Sequence, residues 1–243
     1  MVDRLVPLTD SNSLELQSIS SNQTRQRWFE VFIVMLIAFS SSLLGSLYLL
    51  KNGAGAPSEL SNSRMLVGFI HEVACLFLLG YVLSRRSLRF RDLGLQWSLR
   101  DGATGLVVAA GSYLAYWLGS AAIYVIHYRI YSAPATSHSS KDIFGAVGAA
   151  AIPFFLLNPF FEELIVRAYL MTEIMDLTGS KMLAIASSVV LQASYHLYYG
   201  WSIALSLSFQ FLIFAIYYAH KRRALPIIVA HGIFDIYGLI RLL

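Results

Sequence analysis

The feature that most limits what this chain can fold into is a series of long stretches that carry almost no charge. The first, about residues 28–50, exceeds the roughly 20 residues a helix needs to cross a bilayer. Further stretches run at about 65–83, 103–126, 143–172, 182–199, 202–219 and 224–243. These are seven expected spans, and the fourth is long enough to be tilted or broken at Pro153 and Pro159; a broken or re-entrant segment would make eight. Of 243 residues, 57% are apolar and only 13% charged, about half the usual soluble share. A soluble domain of that size cannot hide so much apolar surface. The expected fold is therefore all-α, a polytopic transmembrane helix bundle over residues 28–243, preceded by a polar, solvated tail at 1–27.

Other classes fall away quickly. Cys75 is the only cysteine, so no disulfide framework exists. An Ala54-x-Ala56 pattern follows the first stretch, but a signal sequence has an apolar core shorter than this one, so no cleavage is expected there. The net charge of +4 reads as orientation and not as a nucleic-acid signal. Arg85, Arg86, Arg89, Arg91 and Arg100 cluster between the second and third spans, and Lys221, Arg222 and Arg223 between the sixth and seventh. Both clusters follow even-numbered spans. The positive-inside rule thus assigns them, the N-terminus and the loop at 172–181 to the cytoplasm, with 12 Lys and Arg there against 4 outside. Within 85–101 the arginines alternate with Leu88, Phe90, Leu93, Leu95 and Trp97. That pattern suits either an amphipathic stretch in the interface or an ordinary basic loop.

Ionisable side chains inside spans are costly, so each is a candidate for function. They are His71 and Glu72 in the second span, Glu162, Glu163 and Arg167 in the fourth, His196 in the fifth, and His231 and Asp235 in the seventh. Glu162 and Glu163 point about 100° apart on a helix. Glu163 and Arg167 stand at i, i+4, where a carboxylate and a guanidinium can meet. Either Glu162 is then free to act as a general base, or both acids serve Arg167 as a structural network; spacing leaves both readings open. His231 and Asp235 repeat the i, i+4 relation, which lets the carboxylate orient the imidazole. Counting from the expected cytoplasmic ends puts Glu162, His196 and His231 roughly 15, 22 and 12 Å along their helices, inside a hydrocarbon core about 30 Å thick. A shared polar cavity accounts for all three. No Gly-x-Ser-x-Gly elbow is present, and His71-Glu72 starts a zincin-like motif whose fifth position is Cys75. His71 and Glu72 are therefore expected to make a polar interhelical contact.

Taken in order, Glu162-Glu163-x-x-x-Arg167, His196 and His231-x-x-x-Asp235 resemble the CAAX protease and bacteriocin-processing (CPBP, or Abi) family of intramembrane proteases. Asn158-Pro159-Phe160-Phe161 and Asp92-Leu93-Gly94-Leu95 also look like that family, and the resemblance spans about 65–240. It implies that Glu162 and His196 activate water, that His231 and Asp235 stabilise the oxyanion, and that Glu163 and Arg167 complete the first motif in a structural role. Three positions depart from the pattern: Gln192 where Phe is frequent, Ala168 where Gly is frequent, and Asp235 where prenyl-protein members have Asn. An ionised Asp accepts but does not donate, so Asp235 is expected to orient His231 and stabilise its cation, leaving His231 as the donor.

The resemblance implies an endopeptidase acting on a membrane-associated peptide or protein, CAAX-type or bacteriocin-related, within the lipid bilayer. A metal-free site is favoured; in a metal-dependent version Glu162, His196 and His231 would hold zinc. A non-catalytic scaffold or bacteriocin-immunity factor is the alternative from another class, and a proton-coupled transporter a third.

Overall fold

The computed structural model describes residues 10–52, 61–132 and 147–242, and every regular element among them is helical. The Ala54-x-Ala56 pair, residues 1–9 of the tail and residues 143–146 of the expected fourth span lie outside the described residues. Helix α1 runs Asp10–Asn52, α2 Ser61–Ser84 and α3 Leu99–Tyr131. A continuous helical run follows: α4 (Ala151–Glu162), a π-helical segment (Glu163–Leu170) and α5 (Met171–Thr178). The chain ends with α6 (Lys181–Tyr195), α7 (Trp201–Lys221) and α8 (Leu225–Leu242).

Five stretches are individually long and apolar enough to cross a membrane: Ser21–Asn52, Asn62–Ser84, Leu99–Tyr131, Trp201–Lys221 and Leu225–Leu242. They expose large apolar side chains such as Phe77, Leu106, Val107 and Trp117, which lipid covers at no cost and water would not. The protein is an integral membrane helix bundle. At 43 residues α1 is about 65 Å long, so part of it projects past the hydrocarbon, and the polar residues 10–27 form its first turns.

Two expectations need correction. The fourth span does not break at either proline. Pro153 sits in the first turn of α4, where backbone N–H groups have no helical partner to lose. Pro159 is accommodated inside the helix, and the irregularity begins four residues later as the π segment. The run also continues to Thr178, past the expected end at 172, with Glu173 buried in ion pairs and Asp176 paired while still exposed. The fifth span is shorter than expected. Its helix stops at Tyr195 after 15 residues, roughly 22 Å, and a 3-10 turn at Leu197–Tyr199 leads into α7.

Of the two readings open for the basic stretch, the structure has the loop: residues 85–98 form a folded loop with one 3-10 turn (Phe90–Leu93), and α3 begins at Leu99. Leu93 is buried while Trp97 stays exposed. Gly94 adopts φ +88 and receives a hydrogen bond from Ala224 N–H at 3.0 Å, docking the loop on the α7–α8 turn. A Cβ at Gly94 would collide with the Arg222 carbonyl, so only glycine fits.

Helix packing closes a ring: α2 on α4, α4 on α8, α8 on α3, α3 on α7, α7 on α6, α6 on α1 and α1 on α2. Close approach of α3 and α8 depends on Gly105, whose Cβ would meet Val229 at 2.7 Å. All eight residues of the π segment are buried within this ring. At one end, charged groups fasten it. Glu173 of α5 is buried and meets Arg27 of α1 at 2.8 Å and Arg86 of the α2–α3 loop at 2.6 Å. Asp176 pairs with Arg27 and Arg222, and Asp101 with Arg223. The basic clusters predicted to share one side of the membrane thus share one end of the bundle.

Candidate active site

The sequence-predicted residues converge on the π segment and the helix ends around it. Glu162 closes α4 and is buried at 7% exposure. One of its oxygens, Oε2, accepts two hydrogen bonds at 2.7 Å, from the Gln192 amide and from the Tyr195 hydroxyl. Both donors lie in the last turn of α6. Tyr195 is held from the other side by α1: its ring stacks on Phe39 at 4.8 Å, and Ser46 donates to its backbone carbonyl at 2.5 Å.

His196 follows directly, at the point where α6 gives way to the 3-10 turn. Its Nδ1 lies 2.8 Å from the Gln192 carbonyl. A carbonyl can only accept, which assigns the proton to Nδ1 and leaves the Nε2 lone pair unspent. Gln192 therefore joins the two predicted partners, with its side chain on Glu162 and its carbonyl on His196. The ring is half-buried among Tyr195, Tyr198, Tyr199 and Phe211. Glu162 lies within electrostatic reach of both His196 and His231.

His231 is buried on α8 between two carboxylates. Its Nδ1 contacts Glu163 at 2.8 Å, and its Nε2 faces Asp235 at 3.6 Å. The nearer partner is Glu163, where spacing pointed to Asp235. The other Asp235 oxygen accepts from Asn158 at 3.0 Å, which keeps this carboxylate on the α4 side. Only an imidazolium can donate to both acids.

Arg167 is fully buried, and its i, i+4 pairing with Glu163 is long, at 3.5 Å, without a hydrogen bond from any guanidinium nitrogen. The ring faces of Phe211 and Phe214, at 5.4 and 6.0 Å, carry part of the charge. Glu163 thus contacts both His231 and Arg167, so the expected structural pair is wired into the site.

His71 does make the expected interhelical contact, with the Ile37 carbonyl at 3.0 Å. Glu72, one residue on, turns inward. It is 3% exposed, its Oε2 has no hydrogen-bond partner, and its electrostatic neighbours are Glu162, Asp235 and His231. Sequence reasoning paired Glu72 with His71 and missed it; the 100° turn between adjacent helical residues is the signal that separates them. Tyr195 was also missed, although it stands beside His196 and its hydroxyl lies in the site. Among the described residues no group of three His, Cys, Asp or Glu side chains is arranged to hold a metal ion.

Residues 145–237 match the family described as Type II CAAX prenyl endopeptidase Rce1-like. Over these residues the chain is similar to the CPBP/CAAX protease family. The match supports a CAAX-type intramembrane protease at the level of the family. The matched segment carries Glu162, Glu163, Arg167, His196, His231 and Asp235, whereas Glu72 and the Asp92–Leu95 loop lie outside it. No curated protein and no solved structure matches the chain.

Proposed function

We propose that this protease hydrolyses a peptide bond of a membrane-associated substrate by attack of a water activated by Glu162 and His196. The observation that carries the reading is the use of Glu162. Tyr195 and Gln192 both occupy Oε2, which leaves Oε1 to accept a proton from water, while the free Nε2 of His196 is a second acceptor. As the water attacks, its proton moves to this pair and the substrate carbonyl oxygen gains charge. His231, as an imidazolium steadied by Glu163, stabilises that oxyanion from its Nε2 side. Asp235, held by Asn158, orients the ring without donating. When the C–N bond breaks, the proton taken from water passes to the leaving amine. Arg167 balances the Glu163 charge. The substrate segment is extended where it enters, because a helical peptide bond is shielded from attack.

The family description supports a prenylated CAAX-type substrate, and the charge bias assigns the end of the bundle fastened by Arg27, Arg86 and Glu173 to the cytoplasm. The arrangement supports a metal-free reaction, since among the described residues no three His, Cys, Asp or Glu side chains are placed to hold a metal ion. Elemental analysis of purified active protein, with a chelator control, tests this and is expected to find no stoichiometric metal.

The deciding experiment is cleavage of a fluorogenic, prenylated CAAX peptide by purified protein in nanodiscs. Wild type is expected to cleave it, and Glu162→Gln to bind it with cleavage reduced at least about 10³-fold. Undiminished cleavage by Glu162→Gln overturns the mechanism, and binding without cleavage by wild type favours a scaffold.

A further inference from the structure

The site holds four buried or half-buried carboxylates, those of Glu72, Glu162, Glu163 and Asp235, against Arg167 and His231. Their surroundings differ in one respect. Glu162 accepts from Tyr195 and Gln192, Glu163 meets His231 and Arg167, and Asp235 accepts from Asn158. Glu72 alone keeps a buried oxygen with neither a donor nor a cation on it. An ionised carboxylate without a donor is the costliest group to hold in a low-dielectric interior, whereas a protonated one is itself a hydrogen-bond donor.

Its position says what it would donate to. Glu72 comes from α2, which packs on α4, and its neighbours Glu162, Asp235 and His231 come from α4 and α8. Of these three, Glu162 is the proposed base, while Asp235 and His231 belong to the proposed oxyanion side of the site. There the proposed oxyanion has few donors, because His231 Nδ1 is committed to Glu163 and Asp235 can only accept. Preorganised donors in a water-poor cavity act most strongly where charge develops, and a neutral carboxylic acid can serve as one.

We propose that Glu72 holds a proton and donates it, as a hydrogen bond without transfer, to the carbonyl oxygen of the scissile bond beside His231. This makes Glu72 a further catalytic residue, and the assignment rests on the water-activation reading above. No bond to Glu72 forms or breaks, and its proton stays on the carboxyl group through the cycle.

Two measurements on the full-length protein in nanodiscs test it. Infrared difference spectra of wild type against Glu72→Gln are expected to contain the carbonyl band of a neutral carboxylic acid, shifted in D2O, that persists in Glu162→Gln. The absence of such a band overturns the proposal whether or not any peptide is cleaved. With the prenylated CAAX peptide, Glu72→Met is expected to lower kcat about 10²-fold or more with KM nearly unchanged, because one oxyanion donor is lost. Glu72→Gln, which keeps an N–H donor, is expected to restore most of that kcat. A Glu72→Met protein with wild-type kcat, or a Gln variant as impaired as the Met variant, overturns the proposal. If Glu162→Gln is the variant that keeps full cleavage, the water-activation reading fails instead, and the infrared band still decides the state of Glu72.

Discussion

Two polar clusters in this bundle are built on opposite terms. In the cluster at the fastened end, each acid meets at least one guanidinium: Glu173 has Arg27 and Arg86, Asp176 has Arg27 and Arg222, and Asp101 has Arg223. In the interior, Arg167 and His231 must serve four carboxylates, and the Glu72 Oε2, the Glu163 Oε2 and all three Arg167 nitrogens lack a hydrogen bond. Paired charge near the water ties together segments far apart in sequence. Unsaturated polar groups in the middle of a membrane bundle are expensive to keep, and they suit a site that completes its hydrogen bonds only with a reacting substrate. The difference teaches that ion-pair chemistry fastens the ring while the π segment and the short α6 present the reactive groups.

Substitutions in the interior should therefore break activity and spare stability, and those at the fastened end should do the reverse. The largest effect is expected from His196→Ala, with kcat for the prenylated peptide reduced about 10³-fold and the thermal midpoint nearly unchanged, read by fluorescence cleavage and by melting in detergent. Tyr195→Phe removes one of two charge-assisted hydrogen bonds to Glu162, worth about 1.5–3 kcal/mol, so kcat should drop roughly 10- to 100-fold while KM holds. Gly94→Ala acts on the frame: a left-handed backbone plus a collision with the Arg222 carbonyl should cost about 2 kcal/mol or more of stability, with kcat per folded molecule retained. The mildest is Glu173→Gln. Arg27 and Arg86 remain 26% and 24% exposed and can reach water when their partner is neutralised, so a loss of about 1 kcal/mol with unchanged kcat is expected from denaturant titration. Loss of activity with the last two variants at full folding would erase the distinction between the clusters.

Much of this was legible in sequence because polar residues are rare in the spans. Glu162, Glu163, Arg167, His196, His231 and Asp235 were each visible as charges in apolar text, and the all-α bundle followed from the same text. What stayed hidden depends on geometry that no local pattern encodes. Gln192 read only as a departure from the family pattern, altering packing or adding a polar contact, yet one residue contacts both Glu162 and His196, and this requires α6 to end at Tyr195. Glu163 read as the partner of Arg167 by i, i+4 spacing, but its shorter contact crosses to His231 on another helix. Glu173 read as part of a loop because buried acids are rare; the arginines that make its burial tolerable are 146 and 87 residues away in sequence. Spacing rules capture partners on one helix, and these partners come from three.

The central claim is that Glu162 and His196 act on one water. A double-mutant cycle on kcat tests it directly, using Glu162→Gln, His196→Ala and the combined variant with the prenylated CAAX peptide. If the two groups work as a unit, the double variant will be about as slow as the worse single variant, with strongly non-additive losses. Losses that multiply, or a single variant that keeps wild-type kcat, would contradict it.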